Sequence, residues 1–334
     1  MQKTIKFYSK PSIIATSSIV GPKEGEGPLG RFFERIIFDD TFGEKTYEKA
    51  ECKMLSYAIE KSVVNAGLSV ENIDALLSGD LLNQIVSSSF AARSFEIPFI
   101  GVYNACSTMT EALALGAMMT DGGYFDNVVA ATGSHFSTAE RQYRYPLELG
   151  CVRPPQSQWT VTGAGSAVIS SKRSDEFPHI THATFGIVSD FGVKDANNMG
   201  AAMATAAAAT IKTHLENLNL KSSYYDLIVT GDLGALGSRL LKKVLRERGV
   251  DIDKNHVDCG ELIYNIDEEE YQGGSGAGCS ASVFNSYIYD KMRKKKLNKV
   301  LFVATGALLS TLTTQQGESI PSIAHAVGIE NEVN

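Results

Sequence analysis

Runs of hydrophobic residues divide the chain into two kinds of predicted element. Long stretches with helical periodicity at 46–66 and 198–217 predict helices, and the second is rich in alanine. Short apolar runs that are rich in β-branched residues and bounded by glycine predict buried strands. These strand segments are 76–79, 98–103, 128–133, 166–171, 228–231, 301–306 and 323–329. Because the strands alternate with helices, the pattern predicts an α/β fold with a parallel-rich sheet covered on both faces.

The second half of the chain repeats the order of the first. The segment 73–83, IDALLSGDLLN, resembles 225–235, YDLIVTGDLGA, and each is an apolar run that ends in Gly-Asp. The segment 104–119 resembles 277–292, and each sets Cys-Ser at the start of a predicted helix. Repetition in matching order is the signature of a duplicated structural unit.

The spacing of the repeated segments supports this duplication. The stretches 106–133 and 279–306 both run 27 positions from the cysteine to a glycine. The Gly-Asp to cysteine spacing is 26 in the first half and 47 in the second, which predicts an inserted loop or hairpin around 258–274. We therefore predict two α/β halves, residues 1–174 and 175–334, related by a pseudo-twofold axis and packed as one body.

Composition excludes several classes of protein. Hydrophobic residues make up 43% and charged residues 21% of the chain, as in folded globular proteins. The net charge of −7 disfavours nucleic acid as a partner, because phosphate-backbone binding needs a basic surface. No transmembrane segment or signal peptide is expected. Five scattered cysteines indicate free thiols in a reducing compartment rather than a disulfide framework.

Cys106 is the first candidate for chemistry. It follows a predicted strand and opens a predicted helix at 106–119. A helix N-terminus carries partial positive charge and free N–H groups, so we expect a lowered thiol pKa and a site for an anion. A small cysteine buried in the core is the alternative. Ligands of α/β folds bind at strand-to-helix turns, which favours the functional interpretation.

Two aspartates and two histidines complete the set of predicted ligand-binding residues. Asp80 and Asp232 end matching strands, where each can contact a ligand or cap the next helix. His325 lies in an apolar strand pattern, as a core histidine or as a partner that activates the thiol. His135 follows a strand end, ahead of Arg141 and Arg144, which can bind carboxylates or form surface salt bridges.

Three further patterns are weaker. The glycine-rich segment 273–280 lacks the Lys-Ser/Thr of a phosphate loop and the spacing of a dinucleotide site. The basic run 291–299 is either a solvated helix end or a surface for an anionic membrane. The pairs His179 with His182 and Cys259 with Cys279 lack zinc-site spacing, so no metal site is predicted.

The segment 104–113, NACSTMTEAL, resembles the nucleophile turn of the thiolase superfamily, and 162–170 resembles a closing strand of the type III ketoacyl synthases. The resemblance implies a layered αβαβα fold and a homodimer. Those enzymes carry a Cys-His-Asn set. This chain has Gly231-Asp232 at the histidine position and no asparagine in the matching turn 273–280. Condensing activity is therefore not expected, and an acyl-thioester transferase or condensing enzyme that uses Cys106 is the alternative.

Longer motifs resemble the stage V sporulation protein AD family of spore-forming bacteria. They lie at 21–30, 79–84, 105–112, 138–150, 304–310 and 318–327. The resemblance implies a non-enzymatic protein that binds dipicolinic acid, pyridine-2,6-dicarboxylate, for its uptake into the developing spore and its release in germination. It also implies a peripheral position at the inner spore membrane, beside membrane proteins of the same operon. Thr205 and Ala209 stand where the family usually has proline and aspartate.

A binding hypothesis follows from this resemblance. The helix N-terminus at Cys106 would accept one carboxylate of dipicolinate, and His325 would bind the ring or the second carboxylate. Asp80 should repel a dianion, so either its carboxyl is protonated or the ligand arrives as its calcium chelate. The chelate is the preferred expectation, with no other cofactor.

Overall fold

The computed structural model describes residues 3–144, 153–265 and 272–332. Cys151, the end of the motif at 138–150 and the middle of the predicted insertion therefore lie outside the described residues. The strands are β1 Thr4–Lys6, β2 Ser12–Val20, β3 Arg35–Ile36, β4 Ala75–Gly79, β5 Phe99–Gly101, β6 Asn127–Ser134, β7 Trp159–Thr160, β8 Gly163–Ser170, β9 His179–Thr184, β10 Leu227–Thr230, β11 His256–Asp258, β12 Gly274–Ser275, β13 Lys299–Ala307 and β14 Ser322–Glu330.

Helices connect these strands, and the two long helices predicted from the periodicity are confirmed as α2 and α6. The helices are α1 Pro22–Glu26, α2 Tyr47–Asn65, α3 Val86–Ala92, α4 Thr108–Asp121, α5 Phe136–Tyr143, α6 Met199–Asn217, α7 Gly234–Glu247, α8 Cys259–Ile263, α9 Ala277–Val283, α10 Tyr289–Arg293 and α11 Thr311–Gln315. A π-helical turn at Phe284–Ile288 joins α9 to α10. No helix among the described residues is long and apolar enough to cross a membrane.

The main sheet shows the duplication directly. Its strand order is β11-β10-β13-β14-β9-β2-β8-β6-β4-β5, so the two halves supply five strands each in mirrored order. They meet where β2 pairs with β9, at Ser12 and His179. The N-terminal strand β1 crosses over to pair with β9. The predicted division at residue 174 falls in the connection between β8 and β9.

The prediction of a parallel-rich sheet is wrong in one respect, because the sheet is mixed. In the first half, β4 pairs in parallel with β5 and β6, whereas β6 with β8 and β8 with β2 are antiparallel. The second half repeats this arrangement. Strands buried on both faces read as continuous apolar runs whatever their direction, so the pattern could not separate the two cases.

Among the described residues, the hydrophobic core has three large clusters that correspond to layers of helices, and a small fourth cluster that contains Cys106. Helix α4 packs against strands of both halves and lies beside α9, which places this pair in the centre. Helices α2 and α3 cover the strands of the first half, and α6 and α7 cover those of the second. This is the layered αβαβα arrangement expected from the resemblance.

The described ends of the predicted insertion in the second half hold a short helix and the start of a strand. Helix α8 follows β11, and β12 then pairs with β7 beyond the residues that the structure leaves undescribed. Cys52, Cys106, Cys259 and Cys279 are free thiols, as predicted for the described residues.

Candidate functional site

A strained turn between β5 and α4 presents Cys106. Residues 105–107 form a 3-10 turn, and α4 begins only at Thr108, two residues later than the sequence pattern predicts. Ala105 has a φ of 51°, a left-handed conformation that residues other than glycine rarely adopt. The carbonyl of Asn104 fixes the turn by accepting hydrogen bonds from the Ser107 backbone at 3.2 Å and its hydroxyl at 2.7 Å. Such strain is typical of functional sites.

A cavity of about 490 Å³ lies over Cys106. Its walls come from both halves: the end of α5 and the segment after β4 on one side, and residues 275–276, residues 307–312 and Met199 on the other. Tyr103 stands at the rim and is half exposed. The cavity lies at the carboxyl ends of β4, β6 and β13, where ligands of α/β folds bind. The Cys106 turn, where the sequence predicts a site, therefore lines a cavity.

The thiol of Cys106 faces a carboxyl group from the other half of the chain. Burial raises the pKa of Cys106 well above its ordinary value, and Asp232, which accepts a hydrogen bond from the thiol, raises it further. The prediction of a lowered thiol pKa is therefore wrong. The positive end of a helix dipole cannot offset both desolvation and an adjacent carboxylate.

Asp232 lies beneath the cavity and does not line it. Its carboxylate accepts hydrogen bonds from the Gly276 N–H at 2.9 Å, the Thr305 hydroxyl at 2.8 Å and the Ser275 hydroxyl at 3.4 Å. Burial nevertheless raises the pKa of Asp232 to about 6. Asp232 thus organises the floor of the cavity by joining the glycine-rich turn to β13.

Arginine supplies the charge of the cavity wall. Among the described residues that line the cavity, Arg144 alone has a charged side chain. Its guanidinium pairs with Glu140, one turn earlier in α5. Arg153 also pairs with Glu140, at 3.3 Å, so two guanidinium groups share one carboxylate. Glu140 and Arg144 are 3% and 4% exposed, so in the described part of the chain this buried cluster sets two guanidinium groups against one carboxylate.

Asp80, in contrast, serves as a cap. One carboxylate oxygen accepts the N–H of Leu82 at 2.9 Å and the other accepts the N–H of Ser88, in α3, at 2.7 Å. Asp80 lies beside the buried Glu51, and burial raises the pKa of both carboxyls. It does not line the cavity, so it is not placed to bind a ligand or a calcium ion there. Of the two sequence-based alternatives, the geometry supports helix capping.

His325 supports the turn rather than the thiol. Its Nδ1 accepts the N–H of Gly186 at 3.0 Å, so the ring proton lies on Nε2, 3.1 Å from the side-chain amide of Asn104. Burial lowers the pKa of His325 to about 4, which keeps the imidazole neutral near pH 7. His325 thereby holds the residue that begins the Cys106 turn.

His135 is also a structural residue in this arrangement. Its Nδ1 accepts the N–H of Ser137 at 3.1 Å and so caps α5, while Nε2 donates to the carbonyl of Asp40 at 2.7 Å. Burial lowers its pKa. His135 does not line the cavity. Arg141 pairs with Glu48 near the surface, as the salt-bridge alternative expects.

Sequence reasoning missed Glu140 and Arg153. A signal for Glu140 was present, because it lies four residues before Arg144 on one helix, the spacing of a helical ion pair. Arg153 carried no such signal, since it follows a connection without regular periodicity.

Residues 1–330 match the family described as Stage V sporulation protein AD. Stage V sporulation protein AD of Bacillus subtilis (strain 168) is 46% identical over 329 residues, 98% of this chain and 97% of that protein.

Two solved structures illustrate the fold. The 3-oxoacyl-[acyl-carrier-protein] synthase III of Aquifex aeolicus VF5 has a TM-score of 0.61 at 15% identity, covering 96% of this chain and 99% of its own. The H285N variant of OleA from Xanthomonas campestris has a TM-score of 0.64 at 13% identity, covering 97% and 99%. These likenesses show the thiolase-like fold. The duplicated fold and the extent of the sequence match together establish that this chain belongs to the stage V sporulation protein AD family of sporulation proteins.

Proposed function

We propose that the cavity over Cys106 binds dipicolinic acid, pyridine-2,6-dicarboxylate. In this proposal the protein is a non-enzymatic binding protein for uptake of dipicolinate into the developing spore and for its release in germination. The observation that carries the proposal is the buried cluster in which Arg144 and Arg153 share Glu140, because among the described residues two guanidinium groups meet one carboxylate and Arg144 lines the cavity. The carboxylate of an anionic ligand would pair with Arg144.

The chemistry of the walls suits a flat dicarboxylate. One carboxylate would bind the guanidinium of Arg144, for which a bidentate geometry is favourable. Asn83, Gln142 and Ser310 line the same cavity with groups that donate hydrogen bonds to a second carboxylate. Leu81 contributes to the apolar surface against which the aromatic ring would pack.

The state of the thiol supports binding over catalysis. A nucleophilic cysteine needs a thiolate, which an adjacent base or cation normally stabilises. Here burial and Asp232 raise the pKa of Cys106, so the neutral thiol is favoured. Among the described residues, no histidine side chain hydrogen-bonds to this thiol, and Ser275 lies in the turn where the condensing enzymes have asparagine.

A second candidate, transfer of an acyl group to Cys106, rests on the strained turn that points this residue into the cavity. Intact-mass measurement after incubation with acyl-CoA separates the two. An added acyl mass that is absent in Cys106→Ser would establish acyl transfer, and an unchanged mass supports the binding protein.

Calorimetric titration of dipicolinate tests the proposal. Arg144→Gln removes the charged contact and should weaken binding about 10-fold to 100-fold, since hydrogen bonds to charged groups contribute about 1.5–3 kcal/mol. Arg141→Gln is the matched control, because Arg141 lies on the same helix but pairs with Glu48 at the surface. A wild-type protein that does not bind dipicolinate, or equal affinity in both variants, would overturn the proposal. Circular dichroism and thermal unfolding verify that Arg144→Gln is folded.

We also propose that the cavity binds dipicolinate without the help of calcium. None of the described residues that line the cavity is aspartate or glutamate, so calcium that accompanies dipicolinate would gain no carboxylate ligand from the wall. Titration with and without a calcium chelator tests this, and equal affinities are expected.

The partners and location follow the same proposal. The protein would act peripherally at the inner spore membrane beside membrane proteins of its operon. It would form a homodimer through β5, which ends the sheet and therefore has an unpaired edge. Sedimentation velocity tests the dimer, and co-purification with the membrane proteins tests the partnership.

A further inference from the structure

A second concave surface lies at the opposite ends of the strands from Cys106. This groove encloses about 700 Å³ and is bordered by the beginning of β2 and by Asn127, the first residue of β6. The other end of β6, Ser134, accepts the N–H of Gly278 in the glycine-rich turn near the cavity floor. The groove and the cavity over Cys106 therefore open at opposite ends of the same strands. We call this surface the basic groove, for two of its lining residues, Lys172 and Arg293.

Positive charge lies on one side of the basic groove, whereas the lining residues Asn65 and Asn127 donate hydrogen bonds to the carboxylates of Glu34 and Asp74. The segment 291–299 holds six lysines and arginines among nine residues and no acidic residue, in a chain whose net charge is −7. Some neighbouring cations are compensated: Lys294 pairs with Asp290 at 2.7 Å, and Lys10 pairs with Glu332 at 3.0 Å. For Lys172 and Arg293, no carboxylate lies within 4.0 Å in the described part of the chain.

Arg293 is fixed at the rim of the groove. Its guanidinium lies 4.3 Å from the centre of the Phe177 ring, and Nη1 donates to the carbonyl of Glu176 at 2.9 Å. It also hydrogen-bonds to Tyr289, whose hydroxyl donates to the carbonyl of Ile13 at 3.0 Å. A cation held by an aromatic face and by neutral acceptors keeps its full charge and loses little rotational freedom on binding an anion.

We propose that the basic groove binds the phosphate headgroup of an anionic phospholipid and docks the protein on a membrane surface through this face. The cavity over Cys106 would then open away from the bilayer. The apolar side chains of Ile14, Leu68 and Phe177 also line the groove and would contact the lipid beyond its phosphate. Because the rest of the chain is acidic, an anionic surface would attract this face and repel the others. The inference rests on the proposed membrane location, and it does not depend on which ligand fills the cavity.

Vesicle co-sedimentation tests this docking face. Wild-type protein should bind vesicles of phosphatidylcholine mixed with phosphatidylglycerol, bind pure phosphatidylcholine weakly, and lose the difference at high salt. The double variant Lys172→Gln/Arg293→Gln should weaken binding to the mixed vesicles by about 10-fold or more, since each cation near an anionic surface contributes about 1 kcal/mol. The matched control is Lys45→Gln/Lys243→Gln, which makes the same charge change at exposed positions elsewhere and should stay within about twofold of the wild type.

Several outcomes would overturn the inference. Equal binding of the wild type to neutral and anionic vesicles would do so, as would equal losses in the two double variants. Calorimetry with inorganic phosphate distinguishes a soluble anion: phosphate binding that the groove variant abolishes, without vesicle binding, would make the groove a small-anion site instead. Titration of each variant with dipicolinate distinguishes failure of the docking inference from failure of the proposed function. The groove variants should bind dipicolinate like the wild type, whatever their binding to vesicles.

Discussion

Replacing Asp232 by asparagine measures how much the ionised carboxyl beneath the cavity lowers the free energy of unfolding. The carboxyl is buried, and its pKa is raised from 3.8 to about 6 even though it accepts hydrogen bonds from Gly276, Ser275 and Thr305. Asparagine has the same shape and can keep the bond from the Gly276 N–H. The Thr305 hydroxyl can turn to accept from the new amide.

The sign of the pH dependence follows from this raised pKa. Between about pH 4 and pH 6 the folded state holds a proton that the unfolded state releases, so this carboxyl costs more stability as the pH rises. Two pKa units correspond to about 3 kcal/mol, which is fully present above about pH 6 and absent below about pH 4. Asp232→Asn removes this cost. Because asparagine makes weaker hydrogen bonds here, the substitution should also lower the free energy of unfolding by about 1 kcal/mol at every pH.

Urea unfolding of wild type and variant between about pH 4 and pH 8 measures this difference. The free energy of unfolding of the variant minus that of the wild type should rise by up to about 3 kcal/mol across the range and then level off. Asp39→Asn is the control, because that exposed carboxyl has a lowered pKa and is therefore ionised in both the folded and the unfolded state above about pH 4, so its loss should leave the difference nearly constant across this range. A difference that stays constant with pH would refute the reasoning. As a second readout, Cys106 should react faster with iodoacetamide in Asp232→Asn, since a carboxylate that raises its pKa has been removed.

Two further substitutions test the remaining parts of the site. Asp80→Asn should lower the free energy of unfolding by about 1–3 kcal/mol, because one of the backbone N–H groups it caps would meet an amide N–H₂. Dipicolinate affinity should stay within about twofold by calorimetry, and a loss of tenfold would return Asp80 to the binding site. Gly306→Ala would place a Cβ 2.5 Å from the backbone oxygen of Asn104, so it should cost about 1–3 kcal/mol and displace the Cys106 turn. Weaker dipicolinate binding together with a lower melting temperature is expected, and an unchanged melting temperature would contradict it.

Local patterns in the sequence predict much of the fold. The helices α2 and α6 and the buried strands follow from periodicity, which depends only on neighbouring residues. The equal 106–133 and 279–306 spacings revealed the duplication, because each copy of a unit must cross the same layers. The antiparallel direction of β8 and β14 could not be predicted from the sequence, since an apolar strand can pair in parallel or antiparallel.

For a related reason, the sequence predicted the site only in part. The sequence located the Cys106 turn because a strand, a tight turn and a helix follow each other along the chain. It could not choose between ligand and cap for Asp80, because aspartate fills both roles next to a helix, and it predicted no cap at His135. The backbone N–H groups that each side chain accepts decided the matter.

By itself, the sequence determined the order of the elements, their duplication and the position of Cys106 at a strand-to-helix turn. Tertiary structure alone decided the chemistry there. Asp232 reaches the thiol from the other half of the chain and, with burial, raises the pKa that the helix terminus was expected to lower. Among the described residues, Glu140 is shared by Arg144 and Arg153, which places two guanidinium groups against one carboxylate at the cavity wall. Electrostatic energies depend on distance and on exposure to water, and neither quantity is encoded by position along the chain.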